Sequence, residues 1–229
     1  MNLRDKVVVI TGGSQGFGKA LAELFVTEGS RVVISSNNKD TLESTAEKLS
    51  CDHFVADVTS TSDIQKLGQY VFDKYSVIDI WINNAGIQIA PSVMENINIQ
   101  KLHHLFDVNF FGYFYGCQIA ISYMKKQNSG LIININSTAG LEGKPQISAY
   151  VSSKFAIKGL TESIRKEIKD LNIQIHEVFP GGMQTEIYKE KYPADLKEYM
   201  KTIPVAKKVI KNLKLDNPEI DLVIKRPVK

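Results

Sequence analysis

Lys6-Val-Val-Val-Ile-Thr-Gly-Gly-Ser-Gln-Gly-Phe-Gly18 decides how this chain folds. Val7 to Ile10 is an unbroken, mostly β-branched apolar run, the composition of a strand covered on both faces. It leads straight into a glycine turn of spacing G-x-x-x-G-x-G at Gly12, Gly16 and Gly18, and then into the amphipathic helix of Lys19-Ala-Leu-Ala-Glu-Leu-Phe25. Glycines let the backbone turn tightly and let an anion such as a pyrophosphate approach the free N–H groups and positive dipole end of the helix. The spacing differs from the more common G-x-G-x-x-G. On the glycines alone a turn without a ligand would be preferred; the strand before and the helix after them favour phosphate binding.

Outward from this turn, apolar runs and helical patterns alternate along the chain. Strands are expected near 6–11, 31–35, 53–56, 78–82, 131–136, 173–179 and 220–225, and helices near 17–28, 39–49, 62–75, 101–127, 149–170 and 204–213. Repeated βαβ units of this kind predict an α/β fold, a doubly wound, Rossmann-type seven-stranded parallel sheet with helices on both faces. The chain, 1–229, reads as a single domain, with a cofactor half at about 1–130 and a catalytic and substrate half at about 131–229. In such sheets ligands bind beyond the carboxyl ends of the strands, where strand order reverses.

A net charge of +3 is too mild to imply nucleic acid, and the lysines at 201, 207, 208, 211 and 214 recur at helical spacing as a solvated face. The six-residue apolar run behind Arg4, Asp5 and Lys6 is too short for a signal-peptide core, and no stretch reaches eighteen apolar residues. A soluble, cytoplasmic protein without membrane contact is expected. Cys51 and Cys117 lack metal or redox spacing and read as reduced thiols. The His103-His104 pair, placed at a helix start, shows no ligand pattern, so no metal is assigned.

Chemistry enters at Ala149-Tyr-Val-Ser-Ser-Lys154, with Ser137 thirteen residues before Tyr150 at the end of the apolar run 131–135. Tyr150 and Lys154 share a helix face, so the lysine charge is expected to favour tyrosinate and lower the phenol from its usual value of about 10. A phenol, an ammonium and a hydroxyl so placed can move a proton to or from a carbonyl oxygen. A tyrosine and a lysine four apart are commonly a surface pair, and the pattern gains weight only beside the phosphate turn.

With Asn83-Asn-Ala-Gly86, Asn109 in Asp107-Val-Asn-Phe-Phe111, Ser137, Tyr150, Lys154 and Pro180-Gly-Gly-Met-Gln-Thr185, the sequence strongly resembles the short-chain dehydrogenase/reductase family over nearly its whole length. The resemblance implies that Gly12, Ser14, Gln15, Gly16, Phe17 and Gly18 hold a nicotinamide dinucleotide. Asp57 and Val58 would meet its adenine, and Asn84, Ala85 and Gly86 would pass its ribose. Pro180, Gly181, Met183 and Thr185 would orient its carboxamide. Tyr150 is then the proton donor and acceptor, Lys154 its activator and a ribose ligand, Ser137 the partner of the substrate oxygen, and Asn109 the residue whose backbone carbonyl holds a water in a relay to Lys154.

Departures from the family pattern bear on specificity. Where NAD-preferring relatives carry a carboxylate, this chain has Ser36 followed by Asn37, Asn38 and Lys39, with no negative charge to repel a 2′-phosphate. The basic residues usual in NADP-preferring relatives are missing at Asn37 and Gln15. On charge, NADP(H) is favoured over NAD(H). Asn136 stands where relatives often carry serine. Tyr188, Tyr192, Pro193 and Tyr199, with Ile87, Ile89, Leu141, Ile147 and Met183, suggest an apolar pocket for a small-molecule carbonyl or alcohol. The leading expectation is an oxidoreductase interconverting a secondary alcohol and a ketone or aldehyde. Alternatives are a 3-oxoacyl-carrier-protein reductase, a nicotinamide-dinucleotide-binding regulator without turnover, and a nucleotide-sugar epimerase, whose usual glycine spacing and longer chain are missing. Relatives pair the helices at 101–127 and 149–170, which implies a homodimer or homotetramer.

Overall fold

The computed structural model describes residues 1–188 and 192–226. Seven parallel strands form one sheet: β1 (Val7–Thr11), β2 (Arg31–Ser36), β3 (Asp52–Val55), β4 (Ile80–Asn83), β5 (Gly130–Ile135), β6 (Ile173–Pro180) and β7 (Asp221–Ile224). Their order is β3-β2-β1-β4-β5-β6-β7, so the direction of winding reverses between β1 and β4. The helices are α1 (Gly16–Thr27), α2 (Lys39–Leu49), α3 (Thr61–Tyr75), α4 (Ile99–Phe106), α5 (Gly112–Gln127), α6 (Ser148–Glu167) and α7 (Thr202–Leu213).

Two apolar cores follow from the alternation of side chains along each strand. Val8, Ile10, Ile34, Ile82, Ile133 and Val178 face α1, α2 and α7. Val7, Val9, Trp81, Ile132 and Ile175 face α3, α5 and α6. Full burial of a Val or Ile side chain stabilises by about 1.5–3 kcal/mol, so the central strands anchor the fold.

Asn38, Ser60 and Asn98 accept from the backbone N–H three residues on and cap α2, α3 and α4. Asn38 caps Thr41 at 3.0 Å and Asn98 caps Lys101 at 2.9 Å. The start of α1 differs, because Gln15 gives it no side-chain cap.

The helix expected at 101–127 is two helices joined by a π turn, Asp107–Phe111, with Asn109 at its centre. One extra residue per turn leaves no mark on an apolar pattern read at 3.6 residues, and such turns concentrate at functional sites. His103 and His104 lie in the last turn of α4, not at a helix start. The helix expected to reach 170 ends at Glu167. Among the described residues no helix is long and apolar enough to cross a membrane.

Candidate active site

The glycine turn sits at the reversal point. Gly12 and Gly16 adopt φ of +63° and +57°, a region that side chains other than glycine rarely enter. A Cβ on Gly12 would lie 2.8 Å from the Ala85 Cα, and one on Gly18 would lie 2.3 Å from the Gly12 carbonyl oxygen and 2.4 Å from Asn84 Nδ2. Asn84 stitches β4 to β1, its Nδ2 donating to the Thr11 and Gly12 carbonyls at 2.9 and 3.1 Å. The Thr11 hydroxyl returns the link by accepting from the Asn84 N–H at 3.0 Å. An uncapped helix start above a glycine cradle is the arrangement a pyrophosphate requires.

A cavity of about 950 Å³ opens here. Gly12, Ser14, Gln15, Gly16, Phe17, Ser36, Asn37, Asp57, Val58, Asn84, Ala85 and Gly86 line it together with Ser137, Tyr150, Lys154, Pro180, Gly181, Met183 and Thr185. Gly18 and Asn109 do not reach the cavity wall. Gly18 packs beneath the turn, and Asn109, fully buried, hydrogen-bonds Ile87 and Ser153. Ile87, Ile147, Tyr188, Tyr192 and Tyr199 line the cavity as expected of a substrate pocket, whereas Ile89 belongs to a smaller neighbouring cleft and Leu141 faces solvent. Lys39 does not line the cavity and lies 3.8 Å from Glu43 on α2.

Asp57 accepts from the Thr59 N–H and hydroxyl at 2.9 and 2.8 Å, and from Asn37 Nδ2 at 3.4 Å. Partial burial raises its carboxyl, but these bonds prevail and hold it below the usual range. Nearby, a buried polar ladder ties β4, β5, α5 and α6. Trp81 Nε1 donates to Asn83 Oδ1 at 2.8 Å, Asn83 Nδ2 to Asn134 Oδ1 at 2.8 Å, and Asn134 Nδ2 to Thr161 Oγ1 at 2.9 Å.

Beside Tyr150, Lys154 is buried and donates to the Ile135 carbonyl at 3.1 Å, which also accepts from the Tyr113 hydroxyl at 2.7 Å. Its ammonium lies 5.1 and 5.7 Å from the ring centres of Tyr113 and Tyr150. Ser137, extended just past the end of β5, lines the cavity with Tyr150 and accepts from the Ala139 N–H at 3.1 Å.

The phenol does not shift in the direction expected from the lysine charge. Burial pushes Tyr150 up to about 12, with only the Ser137 hydrogen bond opposing it, and burial pulls Lys154 down to about 7 against the attraction of Glu177. Partial removal from water outweighs a cation 5.7 Å from the ring centre. Tyr150 therefore holds its proton at neutral pH, the state a proton donor needs.

Several cavity-lining or supporting residues had no place in the sequence reading: Lys144, Lys225 and Arg226 on the cavity wall, and Glu177, linked through the Asn136 amide to the Lys154 backbone. Arg226 pairs with Asp195 Oδ2 at 2.8 Å and stacks 5.0 Å over Tyr199, pinning the segment after β6. A glutamate inside the apolar strand 173–179 was the available signal for Glu177.

Comparison with known proteins agrees with this geometry. A family model described as short chain dehydrogenase matches residues 6–196. A 3-oxoacyl-[acyl-carrier-protein] reductase of Thermotoga maritima is 36% identical over 203 residues, covering 86% of this chain and 82% of the relative. An uncharacterized oxidoreductase of Staphylococcus saprophyticus is 34% identical with the same coverage. Among solved structures, a 3-ketoacyl-(acyl-carrier-protein) reductase from Brucella melitensis complexed with NADH superposes with a TM-score of 0.90 at 21% identity, covering 97% of this chain and 98% of that one. An alcohol dehydrogenase from Thermococcus sibiricus complexed with 5-hydroxy-NADP gives 0.88 at 24% identity, covering 98% and 99%. At these identities the superpositions speak to the fold, while the family model and the T. maritima relative reach further: this chain belongs to the short-chain dehydrogenase family of oxidoreductases.

Proposed function

We propose that this oxidoreductase reduces a ketone to a secondary alcohol, and runs the reverse reaction, with NADP(H) preferred to NAD(H). The observation that carries the reading is that Ser137, Tyr150 and Lys154 line the same cavity as the glycine turn. When bound, the nicotinamide ring supplies the hydride, and the chain supplies orientation and a proton. Ser137 hydrogen-bonds the carbonyl oxygen, and Tyr150 passes its proton to that oxygen as negative charge grows there. Lys154 offsets the charge left on the phenol. The half before about 130 supplies the glycine turn and the adenosine end of the dinucleotide site, and the half after it supplies the catalytic and substrate groups with the contacts to the nicotinamide end.

Support for NADP comes from the neutral end of β2. Ser36 and Asn37 line the cavity without a carboxylate of their own, and Asp57 is engaged by Thr59 and Asn37. Exposed Phe111, Phe114 and Phe155 around α5 and α6 fit burial in a homodimer or homotetramer of a cytoplasmic enzyme.

A second reading is reduction of a 3-oxoacyl group on an acidic carrier protein. It is supported by the T. maritima relative and by Lys144 and Lys225 at the cavity mouth. A panel of ketones, alcohols and a carrier-bound 3-oxoacyl thioester, assayed with NADPH, NADP, NADH and NAD by the absorbance of the reduced form, separates the two. Turnover in wild type and its loss in Tyr150→Phe are expected. Full activity of that variant would remove the mechanism, and cofactor binding without turnover of any compound would favour a regulator.

A further inference from the structure

On the face that β6 turns toward α5 and α6, Ile173 and Ile175 join the apolar core, and Glu177 takes the next position, opposite Asn134 of β5. It is 1% exposed. Burial alone would select an apolar side chain here, because a carboxylate leaves water at a cost unless a cation or donors meet it. One donor is present: the Asn136 amide donates to Glu177 Oε1 at 2.5 Å and to the backbone carbonyl of Lys154 at 3.0 Å. Glu177 Oε2 and Asn136 Oδ1 are buried without a hydrogen-bond partner.

Lys154 presents the complementary problem. It is 3% exposed, and the contacts of its ammonium are a neutral carbonyl and two aromatic faces. We propose that Glu177, tied through Asn136 to the Lys154 backbone and not in direct contact with the ammonium, is the buried counter-charge of Lys154, and that it keeps the lysine charged while Tyr150 gives up its proton. When the Tyr150 proton passes to the substrate oxygen, the phenolate left behind is balanced by the ammonium, and the ammonium by the carboxylate. Glu177 touches no reacting atom and is a positioning residue.

Other charged and titratable groups around Glu177 do not take this part. Arg165 of α6 is held by both oxygens of Asp221 of β7, at 3.0 and 2.7 Å, and Lys158 of α6 pairs with Glu162. From α5, burial holds Tyr113 far above its ordinary value and pushes Cys117 up to about 12, so both are neutral. Tyr150 is neutral for the same reason. His176 alternates to the other face of β6 and, pulled down to about 4 by burial, is also uncharged at neutral pH. Lys154 is the cation among these groups without a carboxylate of its own. Burial pushes Glu177 up to about 7, with the Asn136 bond and Lys154 among the groups opposing, so the pair titrates together near neutrality.

The proposal rests on the catalytic reading of Tyr150 and Lys154, but its test needs no substrate. Protein labelled with carbon-13 at lysine Cε is titrated by NMR, with and without NADPH, and the Lys154 signal is assigned by its loss in Lys154→Met. In Glu177→Gln, which keeps the acceptor for Asn136, the lysine midpoint is expected to fall by about one pH unit or more. Glu177→Asp is expected to restore most of it. The alkaline limb of ketone reduction should fall with the midpoint, while the KM for cofactor changes less than about threefold. An unmoved midpoint in Glu177→Gln, or Gln and Asp variants that titrate alike, overturns the proposal. Should Glu177→Gln not fold, Asn136→Ala decides: a smaller fall in the same direction supports the counter-charge, and no fall overturns it. Absence of turnover in wild type would sink the proposed function and leave this titration standing.

Discussion

The Asn109 carboxamide clasps Ile87 at both of its backbone groups, accepting from the N–H at 2.8 Å and donating to the carbonyl at 2.9 Å. Ile87 is the first residue beyond the Asn83–Gly86 turn, so a side chain from the π turn sets one wall of the crevice. The same amide nitrogen donates to Ser153 Oγ at 3.2 Å, and Ser153 in turn donates to the Tyr150 carbonyl at 2.8 Å. One buried residue thus joins the crevice wall to the helix that bears Tyr150 and Lys154.

Asn109→Ala leaves the Ile87 groups without these partners and is expected to destabilise the fold by about 1–3 kcal/mol. Thermal denaturation should show a lower midpoint, and steady-state kinetics a fall in kcat, because the wall and α6 lose their common tie. A variant with a lower midpoint and unchanged kcat would separate the clasp from catalysis.

Gly18→Ala would place a methyl group 2.3 Å from the Gly12 carbonyl oxygen. That atom is backbone and cannot step aside, so the turn must shift, at a cost of about 1–3 kcal/mol. Weaker quenching of intrinsic fluorescence by NADPH, at least tenfold in Kd, is the expected readout. Gly159→Ala, where an added Cβ meets nothing within 4 Å, serves as the control.

His176 and Glu177 oppose each other in pH-dependent stability. Glu177 is raised from 4.5 to about 7, so its contribution is fully present below pH 4.5 and is lost as pH rises through 7. His176 is lowered from 6.5 to about 4, so stability grows as pH rises from 4 to 6.5. Each effect approaches about 3 kcal/mol at its limit. Relative to wild type, His176→Gln should lose stability as pH rises from 4.5 to 6.5, and Glu177→Gln should gain it. Urea denaturation at both pH values measures the two slopes, and parallel curves for all three proteins would contradict the assignment.

Asn37→Asp puts a carboxylate beside the site proposed for the 2′-phosphate, next to Asp57. The ratio of kcat/KM for NADPH over NADH is expected to fall at least tenfold, and Asn37→Arg to raise it. A ratio indifferent to both changes would remove the charge argument for NADP.

The sheet and its glycine turn were legible in the sequence because the central strands β1, β4 and β5 are short, largely apolar runs and each helix keeps its own period. The π turn was not, since Asp107 to Phe111 preserves a helical pattern while adding one residue to a turn. The direction of the Tyr150 shift was hidden as well. Spacing places Lys154 on the same helix face, but the burial of Lys154 and the partial burial of Tyr150 are tertiary properties. Leu141 shows the reverse error: an apolar residue near Ser137 reads as pocket lining, yet it follows a short 3₁₀ turn, Thr138–Gly140, that carries it to the surface. Glu177 was overlooked because the strand around it is apolar, and a pattern read by its majority conceals the one charged member.

Asn84 bridges the ends of β1 and β4 with a single carboxamide. The two loops that leave those paired strands consequently stand at a set separation before any guest arrives, so the floor of the crevice is rigid where the strand order reverses. A larger residue at position 84 would lose that tie and push on the turn packed against it, deforming the floor without altering a single group that reacts.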